Sequence, residues 1–528
     1  MNVQSPQQAV TFQPIKFSRP DFSGKNDWRG GNIIGTLGPG NSGTFTEFDT
    51  PEKITRRLKE LNNSNIKVVI INGMLSRHAS QWHKPRVADI IKQITTLGHK
   101  HNMKFIDHQD FSLLWDGESG FRTLVENSDA LQHAIGSGLP ARGICLNNER
   151  YVTDFIKQLC EYVRYTDIDG IMLDETTFHG INYCACADCR KLFTELTGLY
   201  LPINELDENL YKIDSPLWRS WLNFRRHSRE RFWNRLKTAL QKIRKDFVVM
   251  GYNTHGNLTG SKHQYAMGDP NNYIDFYGTE VMPRNVFANA VATASFRKAM
   301  TMYPNSQNVP VYTMTYATGN NFDLQYFGWA LSNLHGQTYW DYIARSQGKF
   351  DYCAFDKSQG NMDLQKAESV CKIALLFSYP SLLWGKYSSS TAEIIGWSQL
   401  LSRKHYQHDF ISSDSLDSAK LGKYNAIIAG NTMVLSSVQL QQLLKFAENG
   451  GSVYFCNRAA VWNIGGEENK VWPLEELFGL KIFVKNNLKP VGIARGKESS
   501  SNTKNSSRRY GWSRCLPTAK LTGSGILK

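Results

Sequence analysis

Asp169-Gly170-Ile171-Met172-Leu173-Asp174-Glu175, followed by Cys184-Ala185-Cys186-Ala187-Asp188-Cys189, is the stretch on which the fold turns. A short apolar run opened by Asp-Gly and closed by two acids reads as a strand buried on both faces, with its chemistry at its C-terminal end. Seven more such runs alternate with helical patterns across the first two thirds of the chain. They are Asn32–Leu37, Lys67–Asn72, Lys104–Phe111, Phe247–Asn253, Tyr273–Glu280, Val309–Tyr316 and Gln337–Tyr342. Between them, Thr50-Pro51-Glu52 gives a capped helix start with Pro in the first turn, and Ser215-Pro216 does the same for a longer helix. In that longer helix Trp218, Trp221, Leu222, Phe232, Leu236, Leu240 and Ile243 recur on one side, while Arg and Lys fill the other. Eight βα units predict an α/β fold built on a (β/α)8 TIM barrel. A doubly wound sheet is the alternative.

The cysteines add a second constraint. Three thiols as close as Cys184, Cys186 and Cys189 cannot all pair with one another, and Cys145 lies upstream in Arg142-Gly143-Ile144-Cys145. Four soft thiolates with tetrahedral reach suit zinc, which would pin the loop that follows the acidic strand end. The plainer reading is a set of free loop thiols.

At 528 residues the chain is long enough for two or more domains with large cores. It has nine cysteines, an odd number, which suits a reducing compartment better than a disulfide framework. Met1–Phe12 lacks a basic-then-apolar pattern, and no run of about 18 apolar residues occurs. The expectation is a cytoplasmic protein without a membrane span, exported only if a leader is missing from this chain. The net charge is +14, but residues 486–528 carry nine Lys or Arg against Glu498 alone, so +8 of it lies there. That segment is rich in Ser, Asn and Gly, and its composition changes abruptly near Lys489. It reads as a basic tail, disordered or altered in sequence, rather than as a specific nucleic-acid site.

In a barrel the chemistry gathers at the C-terminal ends of the strands. The third strand ends His108, Gln109, Asp110, and the fourth ends Asp174, Glu175. The fifth ends Tyr252, Asn253, with His255 beyond. The sixth ends Glu280, followed by Arg284. The seventh ends Tyr316, and the eighth carries Trp340 and Asp341. Carboxylates, amides and aromatics together suit a sugar site: rings stack, amides bind hydroxyls and two carboxyls do acid/base and nucleophilic work. His108, Asp110, Tyr252, Asn253, His255, Arg284, Tyr316 and Trp340 are therefore the substrate-binding candidates. Asp174 and Glu175, being adjacent, point to opposite sides, so only one faces the barrel centre. Asp169 reads as structural, and Glu280 as either a helix cap or a functional acid. The Gly35–Gly40 turn lacks the P-loop lysine, and no G-x-S-x-G occurs.

From Cys371 the pattern restarts. Lys372–Ser378, Tyr424–Gly430 and Ser452–Cys456 read as strands, with a helix capped by Ser436 and ended at Gly450-Gly451. This predicts a flavodoxin-like α/β domain. Cys456 has neither elbow glycines nor a nearby histidine pattern, which speaks against a glutaminase nucleophile. The expected organisation is an N-terminal extension over 1–30, the barrel over 31–365, the flavodoxin-like domain over 366–485, and the tail over 486–528. Trp384, Ile394, Ile395 and Trp397 are a candidate interface, with packing inside the domain as the plainer reading.

The cysteine pattern resembles the zinc cluster of family 42 β-galactosidases, and Lys372–Phe455 resembles the trimerisation domain that follows their barrel. The runs Asp169–Glu175, Cys184–Phe193, Trp221–Arg225 and Gly251–Gly256 are similar to the group named hypothetical glycosyl hydrolase 6. The resemblance spans roughly residues 30–480. It implies a glycoside hydrolase with structural zinc, a carbohydrate substrate and a homotrimer. The chain departs from family 42 at the chemistry: Asp174-Glu175 replaces its Asn-Glu pair, and the seventh strand carries no acid. The layout is more similar to α-glycosidases and α-L-fucosidases, whose nucleophile is an Asp ending the fourth strand. That resemblance implies Asp174 as nucleophile and Glu280 as acid/base, with Glu175 the substitute if the register differs by one. A non-catalytic carbohydrate-binding barrel, or a metal-dependent hydrolase using His108, Asp110 and His255, are the competing readings.

Overall fold

Among the described residues, ten strands form in the first part of the chain: β1 (Ile33–Leu37), β2 (Val68–Asn72), β3 (Lys104–Asp110), β4 (Leu131–His133), β5 (Pro140–Ile144), β6 (Gly170–Asp174), β7 (Val248–Asn253), β8 (Phe276–Val281), β9 (Val311–Thr315) and β10 (Thr338–Trp340). The structure is a computed structural model, and it describes residues 8–13, 15–23, 27–29, 33–39, 45–72, 84–112, 118–174, 176–204, 206–212, 214–253, 274–281, 310–315, 322–341, 351–359, 369–384, 389–455, 458–469 and 473–474. Eight of the ten strands close into a parallel barrel in the order β1-β10-β9-β8-β7-β6-β3-β2. These are the eight runs expected from sequence. The antiparallel pair β4–β5 is an insertion after the third barrel strand.

Alternation along each strand sorts the residues into two faces. Ile34, Val68, Ile70, Ile106, Met172, Val248, Met250, Phe276, Tyr312, Met314 and Trp340 form the filling of the barrel. Val69, Ile71, Phe105, Ile171, Leu173 and Val249 join the larger cluster that packs against the helices.

Those helices include α1 (Pro51–Asn63), α2 (Lys84–His99), α3 (Glu118–Glu126), α4 (Glu149–Thr166), α5 (Ala187–Thr197) and α6 (Pro216–Ile243). Thr50 and Ser215 cap α1 and α6 as expected, accepting from Lys53 N–H and Trp218 N–H. The expected polar side of α6 is a correction: Arg219, Arg225, Arg229 and Lys237 are as buried as its tryptophans. The described residues between Val10 and Arg29 lie along α6 and across the N-terminal mouth of the barrel. Val10 N–H donates to Ser220 Oγ at 2.8 Å, Asp21 N–H to Lys245 O at 3.0 Å, and Arg29 Nη1 to Asp275 O at 2.7 Å. Phe22 and Trp28 pack against the barrel filling there.

Asp169 is structural, as expected. It sits at the N-terminal end of β6, where it accepts from Lys104 and Arg244 at 2.8 Å each, lies 2.9 Å from His99 Nε2, and receives the Phe105 N–H at 2.9 Å. Burial pushes its carboxyl up, but the His99 contact and the charges of Arg244 and Lys104 hold it below the usual carboxylate range.

The second part holds β11 (Ile373–Phe377), β12 (His408–Ser412), β13 (Ala426–Ala429) and β14 (Ser452–Phe455). They pair in parallel in the order β12-β11-β13-β14, the flavodoxin-like arrangement. β12 was not expected from sequence. Ser436 caps the helix Ser437–Glu448 in a reciprocal box with Gln439, and Gly450 at φ +92° turns the chain back into β14. Leu375, Phe377, Phe410 and Ile428 join the cluster around the barrel helices. Ile394 and Ile395 are buried in that same cluster and pack within the chain, while Trp397 is half-buried and stacks edge-on against Tyr454; the side chain of Trp384 lies outside the described residues. Among the described residues no helix is long and apolar enough to cross a membrane.

Candidate functional site

Above the apolar filling, the C-terminal ends of the neighbouring strands β2 and β3 carry a polar cluster. Asn72, His108 and Asp110 are all buried. His108 Nδ1 lies 3.2 Å from Asn72 Oδ1, and its Nε2 lies 3.8 Å from Asp110 Oδ1. Asn72 pairs in register with His108, His108 with inward-facing Met172, and Asp110 with Asp174. Asp174 therefore occupies the inner register, two residues beyond Met172, and the strand ends there without a slip. Tyr252 follows Met250 by two residues, and Glu280 pairs with inward-facing Met314, which puts both positions on the same inner face. Asn253 and Thr279 pair with each other in register, and Thr279 pairs with Thr313. The Thr313 hydroxyl lies 2.9 Å from Ser332 Oγ, so this set belongs to the outer face.

Trp340 forms part of the floor rather than the rim. Its Nε1 donates to Thr36 Oγ1 at 2.8 Å, and Thr36 donates on to Asp341 O at 3.0 Å. Tyr312, which sequence reading passed over, meets Trp340 edge-on at 5.9 Å and donates to Gly251 O at 3.2 Å. The Asp341 carboxylate accepts from Tyr352 at 2.7 Å and belongs to packing outside the barrel. Glu175, His255, Arg284 and Tyr316 lie outside the described residues.

The second centre is the sulfur cluster. Cys145 follows β5, Cys184 and Cys186 lead into α5, and Cys189 lies in its first turn. All four are buried free thiols, and their sulfurs lie within 4.8 Å of one another. Cys145 Sγ is 3.4 Å from Cys189 Sγ and 3.5 Å from Cys186 Sγ. A tetrahedron of Zn–S bonds near 2.3 Å has edges of about 3.8 Å, close to these separations. Among the described residues this is the one set of three or more His, Cys, Asp or Glu side chains able to share an ion. His108 and Asp110 supply two ligands at most, and His255 is outside the described residues.

No family model matches the sequence, and no curated protein matches it. Solved structures do match. The chain is similar to the cold-adapted β-galactosidase of Rahnella sp. R3, with a TM-score of 0.61 and 13% identity over 86% of this chain and 75% of that one. It is similar to a family 42 β-galactosidase of G. stearothermophilus, with a TM-score of 0.62 and 10% identity over 86% and 75%. The β-galactosidase of the psychrophilic Marinomonas ef1 gives 0.60 and 10% over 84% and 79%. At these identities the likeness establishes the fold alone.

Proposed function

We propose that this chain is a retaining glycoside hydrolase, with Asp174 as nucleophile and Glu280 as acid/base. The observation that carries the reading is the inner-face polar cluster at the C-terminal mouth: Asn72, His108 and Asp110, with Asp174 in register beside Asp110. It caps a barrel whose interior is otherwise apolar and filled. β7 alone separates β6 from β8, so two strand spacings, about 9.5 Å, lie between the strands bearing the two acids. Retention requires the carboxyl groups to converge from there to roughly 5–5.5 Å. The fold it shares with proteins named as β-galactosidases supports a carbohydrate substrate.

In the first step Asp174 attacks the anomeric carbon while Glu280 gives its proton to the departing glycosidic oxygen. In the second, Glu280 takes a proton from water, whose oxygen displaces Asp174 and frees the sugar. Asn72, His108 and Asp110 bind sugar hydroxyls and hold the ring. β9 carries no acid over Val311–Thr315, so a nucleophile on that strand is not part of this reading.

Cys145, Cys184, Cys186 and Cys189 would hold a zinc ion. Bound there, zinc supplies a cross-link that ties the loop after β6 to β5 and α5, and no reaction chemistry. We also propose a homotrimer, on the resemblance of the second domain to a trimerisation module.

The test is a chromogenic glycoside screen, with β-galactosides first. Asp174→Asn and Glu280→Gln should each lower kcat at least 1,000-fold, in line with loss of a nucleophile or general acid. Near-normal turnover by both variants overturns the assignment. Sugar binding without cleavage by the wild type points to a non-catalytic carbohydrate-binding barrel instead.

A further inference from the structure

We infer that Asn147 and Ser228 form the outer sphere of the sulfur cluster and couple metal binding there to helix α6, an inference that rests on the zinc reading above. Four thiolates around a divalent cation leave two net negative charges. Buried charge of that kind needs N–H donors around it. Asn147 supplies them on two sides: its backbone N–H donates to Cys145 Sγ at 3.3 Å, and its Nδ2 donates to Cys189 Sγ at 3.3 Å. The same Nδ2 donates its second hydrogen to Ser228 Oγ at 3.0 Å, in the middle of α6. Both amide hydrogens are thereby used. A flipped amide would turn an oxygen lone pair toward sulfur, so the two contacts fix the orientation of the side chain.

The link continues along α6. One turn before Ser228, Arg225 donates to Gly180 O at 2.6 Å and to Ile181 O at 3.2 Å, and its guanidinium lies 4.5 Å from the Phe178 ring centroid. Those three residues belong to the loop between β6 and Cys184. The helix therefore grips that loop at two places: directly through Arg225, and through Ser228, Asn147 and the sulfurs. Asn148 next door caps α4 and donates to Asp188 Oδ2 at 2.9 Å, which leaves Asn147 free of any capping duty.

The experiment is chelator competition on the full-length, zinc-loaded protein, followed by replacement with cobalt to read the thiolate absorption. Asn147→Ala should bind zinc about 10–100-fold more weakly than wild type. Ser228→Ala, which keeps the amide and removes its anchor, should fall between the two. Asn147→Asp should be weakest, because it turns a carboxylate toward the Cys189 thiolate. At saturating cobalt every variant should show the same tetrahedral thiolate bands, since the four ligands are unchanged. Equal zinc affinity in wild type, Asn147→Ala and Ser228→Ala overturns the inference while leaving the zinc site standing. A wild-type protein that takes up neither zinc nor cobalt overturns the zinc reading itself.

Discussion

Asp107 and His108 are neighbours on β3, and alternation sends them to opposite faces. His108 joins the inner-face cluster with Asn72. Asp107 is fully buried between β3 and α4, beside Tyr162, and accepts from Gln109 Nε2 at 3.0 Å. Burial, the largest influence, raises its carboxyl from 3.8 to about 7, against the opposing pull of Tyr162 and Gln109. The folded-state value is raised, so as pH climbs the unfolded chain gives up this proton first. Stability is therefore lost between about pH 4 and pH 7, and the loss levels off above that, at a total on the order of 4 kcal/mol. Asp107→Asn keeps an acceptor for Gln109 and removes the titration. Urea unfolding at pH 5 and pH 8 should show the wild type losing stability at the higher pH and the variant losing much less of it. The same pH dependence in both proteins would place the cause elsewhere. No single residue in the sequence announces such a site. The role of Asn147 was equally hidden, because it depends on Ser228, brought near only by the fold.

The strand β6 links the two ends of the barrel. At its start Gly170 lies so close to β7 that a Cβ would stand 2.6 Å from the Val248 carbonyl oxygen. Backbone cannot move aside as a side-chain tip can. Gly170→Ala should therefore cost about 1–3 kcal/mol, read by denaturant unfolding. It should also lower turnover, since Asp174 ends the same five-residue strand. An unchanged midpoint would show that β6 and β7 separate more easily than their register implies. Elements of this kind were legible in sequence because parallel strands are covered on both faces and read as apolar runs. β12 was not, because His408, Asp409 and Ser412 interrupt the run. Their polarity is met inside: His408 Nε2 lies 2.7 Å from Ser398 Oγ, and Asp409 accepts from Tyr424 at 3.0 Å and Ser369 at 2.7 Å. α6 misled in the opposite direction. Its arginines look solvent-facing, yet Arg225 satisfies loop carbonyls and Lys237 meets Asp275 at 2.7 Å with both side chains buried.

At the scale of the molecule, the barrel is closed below by the N-terminal stretch and followed by a flavodoxin-like sheet that shares its core. The cysteine spacing and the acid at the end of β6 were visible from the start, because metal ligands and strand ends are local features. The site as a whole was not, since it is assembled from positions as far apart as Asn72 and Glu280. Most of the +14 charge falls in a tail outside the described residues. The homotrimer is checked by light scattering on the chain cut after Asn487, where the expected result is three times the monomer mass; a monomer at high micromolar concentration with activity intact removes it. The central claim is the covalent role of Asp174. Peptide mass mapping after treatment with an activated 2-deoxy-2-fluoro glycoside, made from the sugar the enzyme cleaves, tests it most directly. The account predicts a single glycosyl adduct on Asp174, absent from Asp174→Asn. An adduct on any other residue, or turnover with inversion and no adduct, would contradict it.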